Sequence, residues 1–140
     1  MKILVSACLL GFDCKYNGKN NLREGLVDRF PNAEFIPLCA EQLGGLPTPR
    51  VPAEIGVVGS ERRVLNKDGE DVTNNFVNGA RQIVEYWKAN GIGLALLKSK
   101  SPSCGKGLIY DGSFSGILVE GNGMLAQMLL DEGIEVISID

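Results

Sequence analysis

Cys8, Cys14, Cys39 and Cys104 are the side chains best suited to chemistry in this chain, because its 140 residues include no histidine. Without imidazole, Ser-His-Asp and Cys-His catalysis are excluded. So are histidine-bound zinc sites and Rieske-type clusters. What remains is Cys, Asp, Glu, Ser, Lys, Tyr or a cofactor. Thiolates are soft ligands that suit zinc or iron–sulfur clusters. Structural zinc wants four closed ligands, often in C-x-x-C pairs. No such pair occurs here, and five residues separate Cys8 from Cys14, so a zinc site would need all four cysteines. Ferredoxin-type 4Fe–4S carriers also use four thiolates, but three can hold such a cluster with one iron left open. Residue types alone leave both counts standing. Cys14 either closes the site or packs beneath its loop as a small buried apolar residue.

The elements that must position these thiols follow from pattern. Short apolar runs at residues 2–6, 34–38, 92–97 and 134–139 predict four buried strands. A short helix is expected over 22–30, stopped by Pro31, and one helical turn over 39–43, stopped by Gly44 and Gly45. The prolines between Leu46 and Pro52 impose an extended, stiffened loop. Residues 55–58 and 62–65 predict a hairpin. Thr73 is expected to cap a helix in which Phe76, Ala80, Ile83, Val84 and Trp87 recur at helical spacing, with Gly91 as its C-terminal stop. A polar loop over 99–107 precedes a helix opening at Asn122 or Gly123.

Strand–helix alternation predicts an α/β fold: one domain over residues 1–140, a mostly parallel sheet of four main strands flanked by helices, and a small β-hairpin insertion. In such sheets ligands gather beyond the carboxyl ends of the strands. Cys8 follows the first strand, Cys39 the second, and Cys104 lies in the loop after the third. Three cysteines far apart in sequence are thus expected to meet at one end of the sheet.

Composition narrows the setting. A net charge of −3 and few aromatic residues argue against an autonomous nucleic-acid binder. No run approaches the roughly 18 apolar residues of a membrane span, and the first residues do not form a signal peptide. A cytoplasmic location is expected, where thiols stay reduced and serve metals or catalysis rather than disulfides.

The motifs in order carry a resemblance. Ser6-Ala7-Cys8-Leu9-Leu10-Gly11, Cys14, Pro37-Leu38-Cys39-Ala40-Glu41, Gly44-Gly45-Leu46-Pro47-Thr48-Pro49-Arg50 and Ser101-Pro102-Ser103-Cys104-Gly105 together resemble the thiouracil desulfidase (TudS) family. Ala40 stands where proline is expected. The resemblance implies a 4Fe–4S cluster on Cys8, Cys39 and Cys104 with one iron lacking a protein ligand. It also implies replacement of a thiouracil sulfur by oxygen without net redox change. A thiocarbonyl sulfur is soft, so an open iron suits polarising the C–S bond for attack by water. Glu41, two residues past Cys39, is the candidate general base or proton shuttle. Ser101 is the candidate donor to the pyrimidine, with Ser103 a weaker one. Lys15, Arg50, Lys98, Lys100 and Lys106 would offset a negative cluster or attract a nucleotide phosphate. The expected partner is a small thiolated pyrimidine as base, nucleoside or nucleotide, with neither a membrane nor a stable nucleic-acid partner.

The competing reading is a non-catalytic cysteine-based metal-binding or sulfur-carrier protein. Cys14 discriminates: standing apart from the other three, it leaves an open site; joining them, it favours a closed one.

Overall fold

The computed structural model describes residues 1–140. In chain order the elements are β1 (Lys2–Ser6), β2 (Glu34–Leu38), α1 (Ala40–Leu43), β3 (Ala53–Val58), β4 (Glu61–Asn66), α2 (Thr73–Asn90), β5 (Leu94–Lys98), β6 (Leu108–Tyr110), β7 (Leu118–Glu120), α3 (Met124–Asp131) and β8 (Glu135–Ile139). Four strands form a parallel sheet in the order β2-β1-β5-β8. Two antiparallel pairs, β3–β4 and β6–β7, stand apart from it. The second of these hairpins fills the stretch between the expected polar loop over 99–107 and the expected helix at Asn122 or Gly123.

Alternation along the central strands sorts their side chains to two faces. Leu4, Ala95, Leu97 and Val136 join Ala80, Ile83, Leu125 and Leu129 of α2 and α3 in one core. Ile3, Val5, Leu94 and Leu96 point the other way, onto Leu9 and Leu26 of the long β1–β2 connection. Both faces are therefore covered, as a parallel sheet requires. A third cluster, Ile55, Val64, Phe76 and Ile109, ties both hairpins to α2.

Two local expectations fail for identifiable reasons. The helix over 22–30 is absent; only a single 3-10 turn, Val27–Arg29, forms there. Gly25 sits at φ +77°, a left-handed value that interrupts any helix crossing it. Thr73 does not cap its helix. It is the first helical residue, and its hydroxyl instead accepts the Val64 N–H at 2.8 Å, while Asp71 accepts the Thr73 N–H at 2.9 Å. At the other end Gly91 closes α2 at φ +63°, its N–H bonded to the Trp87 carbonyl, as the pattern predicts.

The sheet order reverses between β1 and β5. From β1 the chain moves to β2 on one side, then crosses to β5 on the other. Such a reversal opens a crevice at the carboxyl ends of the two central strands.

Candidate functional site

A cavity of about 1000 Å³ occupies that crevice, and all four cysteines line it. Cys8 lies in a 3-10 turn, Ala7–Leu10, directly after β1. Cys39 follows β2 as the N-cap of α1. Cys104 follows β5 on the turn closed by the Gly105 N–H to the Ser101 carbonyl, 2.9 Å. The predicted convergence of Cys8, Cys39 and Cys104 is what the sheet builds.

Each thiol has polar company. Ser6, buried at the end of β1, donates its hydroxyl to the Cys104 sulfur at 3.2 Å and accepts the Lys98 N–H at 3.0 Å. The Asn21 amide donates to the Cys8 sulfur at 3.4 Å. Cys14 is buried, and its backbone carbonyl accepts the Cys39 thiol at 3.9 Å. The neighbouring Cys14 side chain is the largest influence lowering Cys8 and Cys39 below the usual thiol range, against the opposing effect of burial. Cys14 is itself driven strongly upward by those two neighbours and by burial. Burial pushes Cys104 up to about 12, with the Ser6 hydroxyl working against it. Cys14 therefore does not stand apart; it lines the same cavity as the other three cysteines.

Glu41 sits in the first turn of α1 and lines the cavity. The Arg50 guanidinium pairs with its carboxylate, the two side chains being only 6% and 19% exposed. Arg50 also donates to the Cys14 carbonyl at 2.8 Å and to the Thr48 hydroxyl at 2.9 Å. It thereby ties the proline-rich loop to the cysteine loop and to Glu41. The Ser101 hydroxyl oxygen accepts the N–H groups of Ser103 and Cys104, both at 3.0 Å, which fixes the turn presenting Cys104. Its own proton remains free to donate. Lys15, Lys98 and Lys100 line the cavity as the loops suggest. Lys106 does not: its ammonium turns away to the Val136 carbonyl at 2.9 Å. Ser6, Asn21 and the Arg50–Glu41 pair are the site features that sequence reasoning missed. Ser6, Glu41 and Arg50 stand inside the quoted motifs, but their partnerships, like that of Asn21, span 98, 9 and 13 residues and are not marked by any local pattern.

The residues fit an iron–sulfur cluster on two observations. The donor set is all thiol, and the thiols reach one roomy cavity from three strand ends. Ser103 is 1% exposed, lines the cavity beside Cys104, and its hydroxyl has no hydrogen-bond partner. An orphaned buried hydroxyl costs about 1–3 kcal/mol, and an inorganic sulfide in the cavity would accept its proton.

Comparison with known proteins adds a second line of argument. A family model described as 2-thiouracil desulfurase matches residues 3–140. An uncharacterised Bacillus subtilis (strain 168) protein, YbbK, is 39% identical over 142 residues, spanning 97% of this chain and 94% of its own length. A solved structure described as 4Fe-4S-dependent thiouracil desulfidase TudS superposes with a TM-score of 0.86 at 42% identity, covering 98% of this chain and 89% of that one.

Proposed function

Because the chain belongs to the 2-thiouracil desulfurase family, we propose that it is an enzyme replacing the sulfur of a thiolated pyrimidine with oxygen, at a 4Fe–4S cluster held by Cys8, Cys39 and Cys104 with one iron free of protein ligands. The observation that carries this reading is the arrival of three cysteines from three strand ends on one cavity, with Glu41 on the same wall. When bound there, the cluster supplies a thiophilic Lewis acid that polarises the C–S bond.

The chain's own residues do the rest. Glu41 takes the proton of the attacking water on its carboxylate, which the Arg50 guanidinium orients. Ser101 donates its free hydroxyl proton to the pyrimidine edge, its oxygen being anchored by two backbone N–H groups. Lys15, Lys98 and Lys100 set positive charge against the cluster and an anionic substrate. A cavity of about 1000 Å³ lies at the top of the range for small-molecule sites, roughly 300–1,000 Å³, and admits a base, nucleoside or nucleotide. The domain spans residues 1–140 and works in the cytoplasm, where its free cysteines stay reduced. No helix is long and apolar enough to cross a membrane.

The position of Cys14 favours one second reading, a closed four-thiolate site that stores or carries rather than reacts. Two variants decide between them. After anaerobic reconstitution, wild type, Glu41→Gln and Cys14→Ser should each hold about four irons and four sulfides. Turnover of 2-thiouracil should fall by about a hundredfold or more in Glu41→Gln alone. Wild-type turnover by Glu41→Gln would refute the assigned base. Loss of the cluster from Cys14→Ser would install the closed site instead.

A further inference from the structure

Three residues other than glycine adopt a left-handed backbone: Asn32, Lys100 and Phe114. Asn32 is of a type that visits this region readily. For a bulky side chain the conformation is a true outlier, costing roughly 1–3 kcal/mol, and such strain gathers at ligand sites. Phe114, at φ +57°, lies in the β6–β7 loop between Gly112 and Gly116 and lines the cavity.

Phe114 earns no compensation from the core. It is partly buried yet belongs to none of the three hydrophobic clusters. Nor does it pair with another aromatic ring; the one such pair is Phe30 with Phe35. Meanwhile its backbone is held from two sides. The Glu54 carboxylate of β3 accepts the Gly112 N–H at 3.0 Å and the Phe114 N–H at 3.1 Å through the same oxygen. Gly112 presses so close to β3 that a Cβ there would lie 2.8 Å from the Gly56 Cα. The fold thus fixes, at a cost in strain, a partly buried aromatic residue on the wall of the cavity.

We propose that Phe114, presented by the Glu54-anchored β6–β7 loop, is the platform on which the substrate's pyrimidine ring stacks. This rests on the desulfidase reading for the identity of the ligand, and deepens it by naming a binding residue outside the cysteine, Glu41 and serine loops. An aromatic face reads planarity and π-character rather than the position of a substituent. The subsite therefore selects an unsaturated ring over a puckered, saturated one, whichever carbon bears the sulfur.

Calorimetric titration of the cluster-loaded protein with uracil and with 5,6-dihydrouracil tests this without turnover. Uracil keeps the flat conjugated ring; dihydrouracil keeps the carbonyl and N–H groups but not the conjugation. Wild type should bind uracil more tightly. Phe114→Leu retains an apolar side chain without a π-face and should weaken uracil binding about fivefold to a hundredfold, while dihydrouracil binding stays within about twofold. Phe114→Tyr should restore the preference, and it carries the test if Phe114→Leu does not fold. Unchanged uracil affinity in Phe114→Leu, or equal losses for both ligands, overturns the platform. Should wild type bind neither uracil nor 2-thiouracil, the desulfidase reading falls and the platform with it.

Discussion

Gly79 offers a way to displace the catalytic turn without touching it. α1 carries Glu41 and is N-capped by Cys39, and it rests on α2 through two glycines. A Cβ on Gly79 would lie 1.9 Å from the Ala40 carbonyl oxygen, and one on Gly44 would lie 2.0 Å from the Asn75 carbonyl oxygen. The contact is fastened by Asn75 donating to the Gly44 carbonyl at 2.8 Å and by Gln82 donating to the Leu43 carbonyl at 2.9 Å. Ordinary van der Waals contact begins near 3.4 Å, so Gly79→Ala must part α1 and α2 locally by about 1.5 Å. Two stability effects then oppose each other. Alanine in a helix interior is better than glycine by about 1 kcal/mol. Forcing a methyl into a filled contact costs about 1–3 kcal/mol, and the atoms met here are backbone, which cannot yield as a flexible side chain does, so the cost lies at the upper end. The net loss is about 2 kcal/mol, a fall in Tm of about 8 °C for a domain this size. Function should suffer far more, because a misplacement of about 1 Å at reacting groups costs on the order of a hundredfold in rate. Iron and sulfide content, kcat/KM on 2-thiouracil and Tm, measured on Gly79→Ala beside the exposed control Glu85→Ala, separate the two. The expected pattern is a mild change in Tm with a hundredfold loss of kcat/KM or a depleted cluster. Wild-type kcat/KM with a full cluster would show that α1 is not held in place by this contact.

Two further outcomes follow from single groups. Ser103→Ala removes the orphaned buried hydroxyl. The cluster-free protein should gain about 1 kcal/mol in urea denaturation, while the loaded protein should show a lower reduction potential by voltammetry, having lost a donor to sulfur. An unchanged potential would mean that the hydroxyl does not face the cluster. Asp71 is held down to about 2, chiefly by the Thr73 hydroxyl and by Arg63, against its usual 3.8. A depressed carboxylate adds stability that is fully present above its unfolded pKa and is lost as pH falls through the folded one. The gap in urea midpoint between wild type and Asp71→Asn should therefore be constant above about pH 5 and close as pH falls from 4 towards 2. A gap that persists at the acid end would remove the ionised form as its cause.

What could be read from the sequence divides along a physical line. The strand at residues 2–6 was legible because near-continuous burial in the middle of a parallel sheet leaves an unbroken apolar run, and the half-buried edge strand at 34–38 still carries an apolar core of Phe35, Ile36 and Leu38. Given those runs, the placement of Cys8, Cys39 and Cys104 beyond strand ends followed from topology. The helix expected over 22–30 fails to form because of one backbone angle at Gly25, which composition does not reveal. Thr73 misled because its hydroxyl was drawn to Val64 of β4, a tertiary competitor stronger than the local cap. The site divides in the same way: donor identity was local, donor environment was not. Nothing near Glu41 in sequence requires Arg50 as its partner, and nothing near Cys104 requires Ser6.

Cys14 shows why that distinction matters for mechanism. By sequence it was either a fourth ligand or a packed bystander. In the fold it is buried on the wall of the same cavity, and its backbone carbonyl is engaged from two sides, by the Cys39 thiol at 3.9 Å and by the Arg50 guanidinium at 2.8 Å. Proximity alone does not count the ligands. A Cys14 that ligates closes the site, and the cluster is lost when its thiol is removed. A Cys14 that packs the loop leaves three ligands and the open coordination position that desulfuration needs, and Cys14→Ser then still holds about four irons.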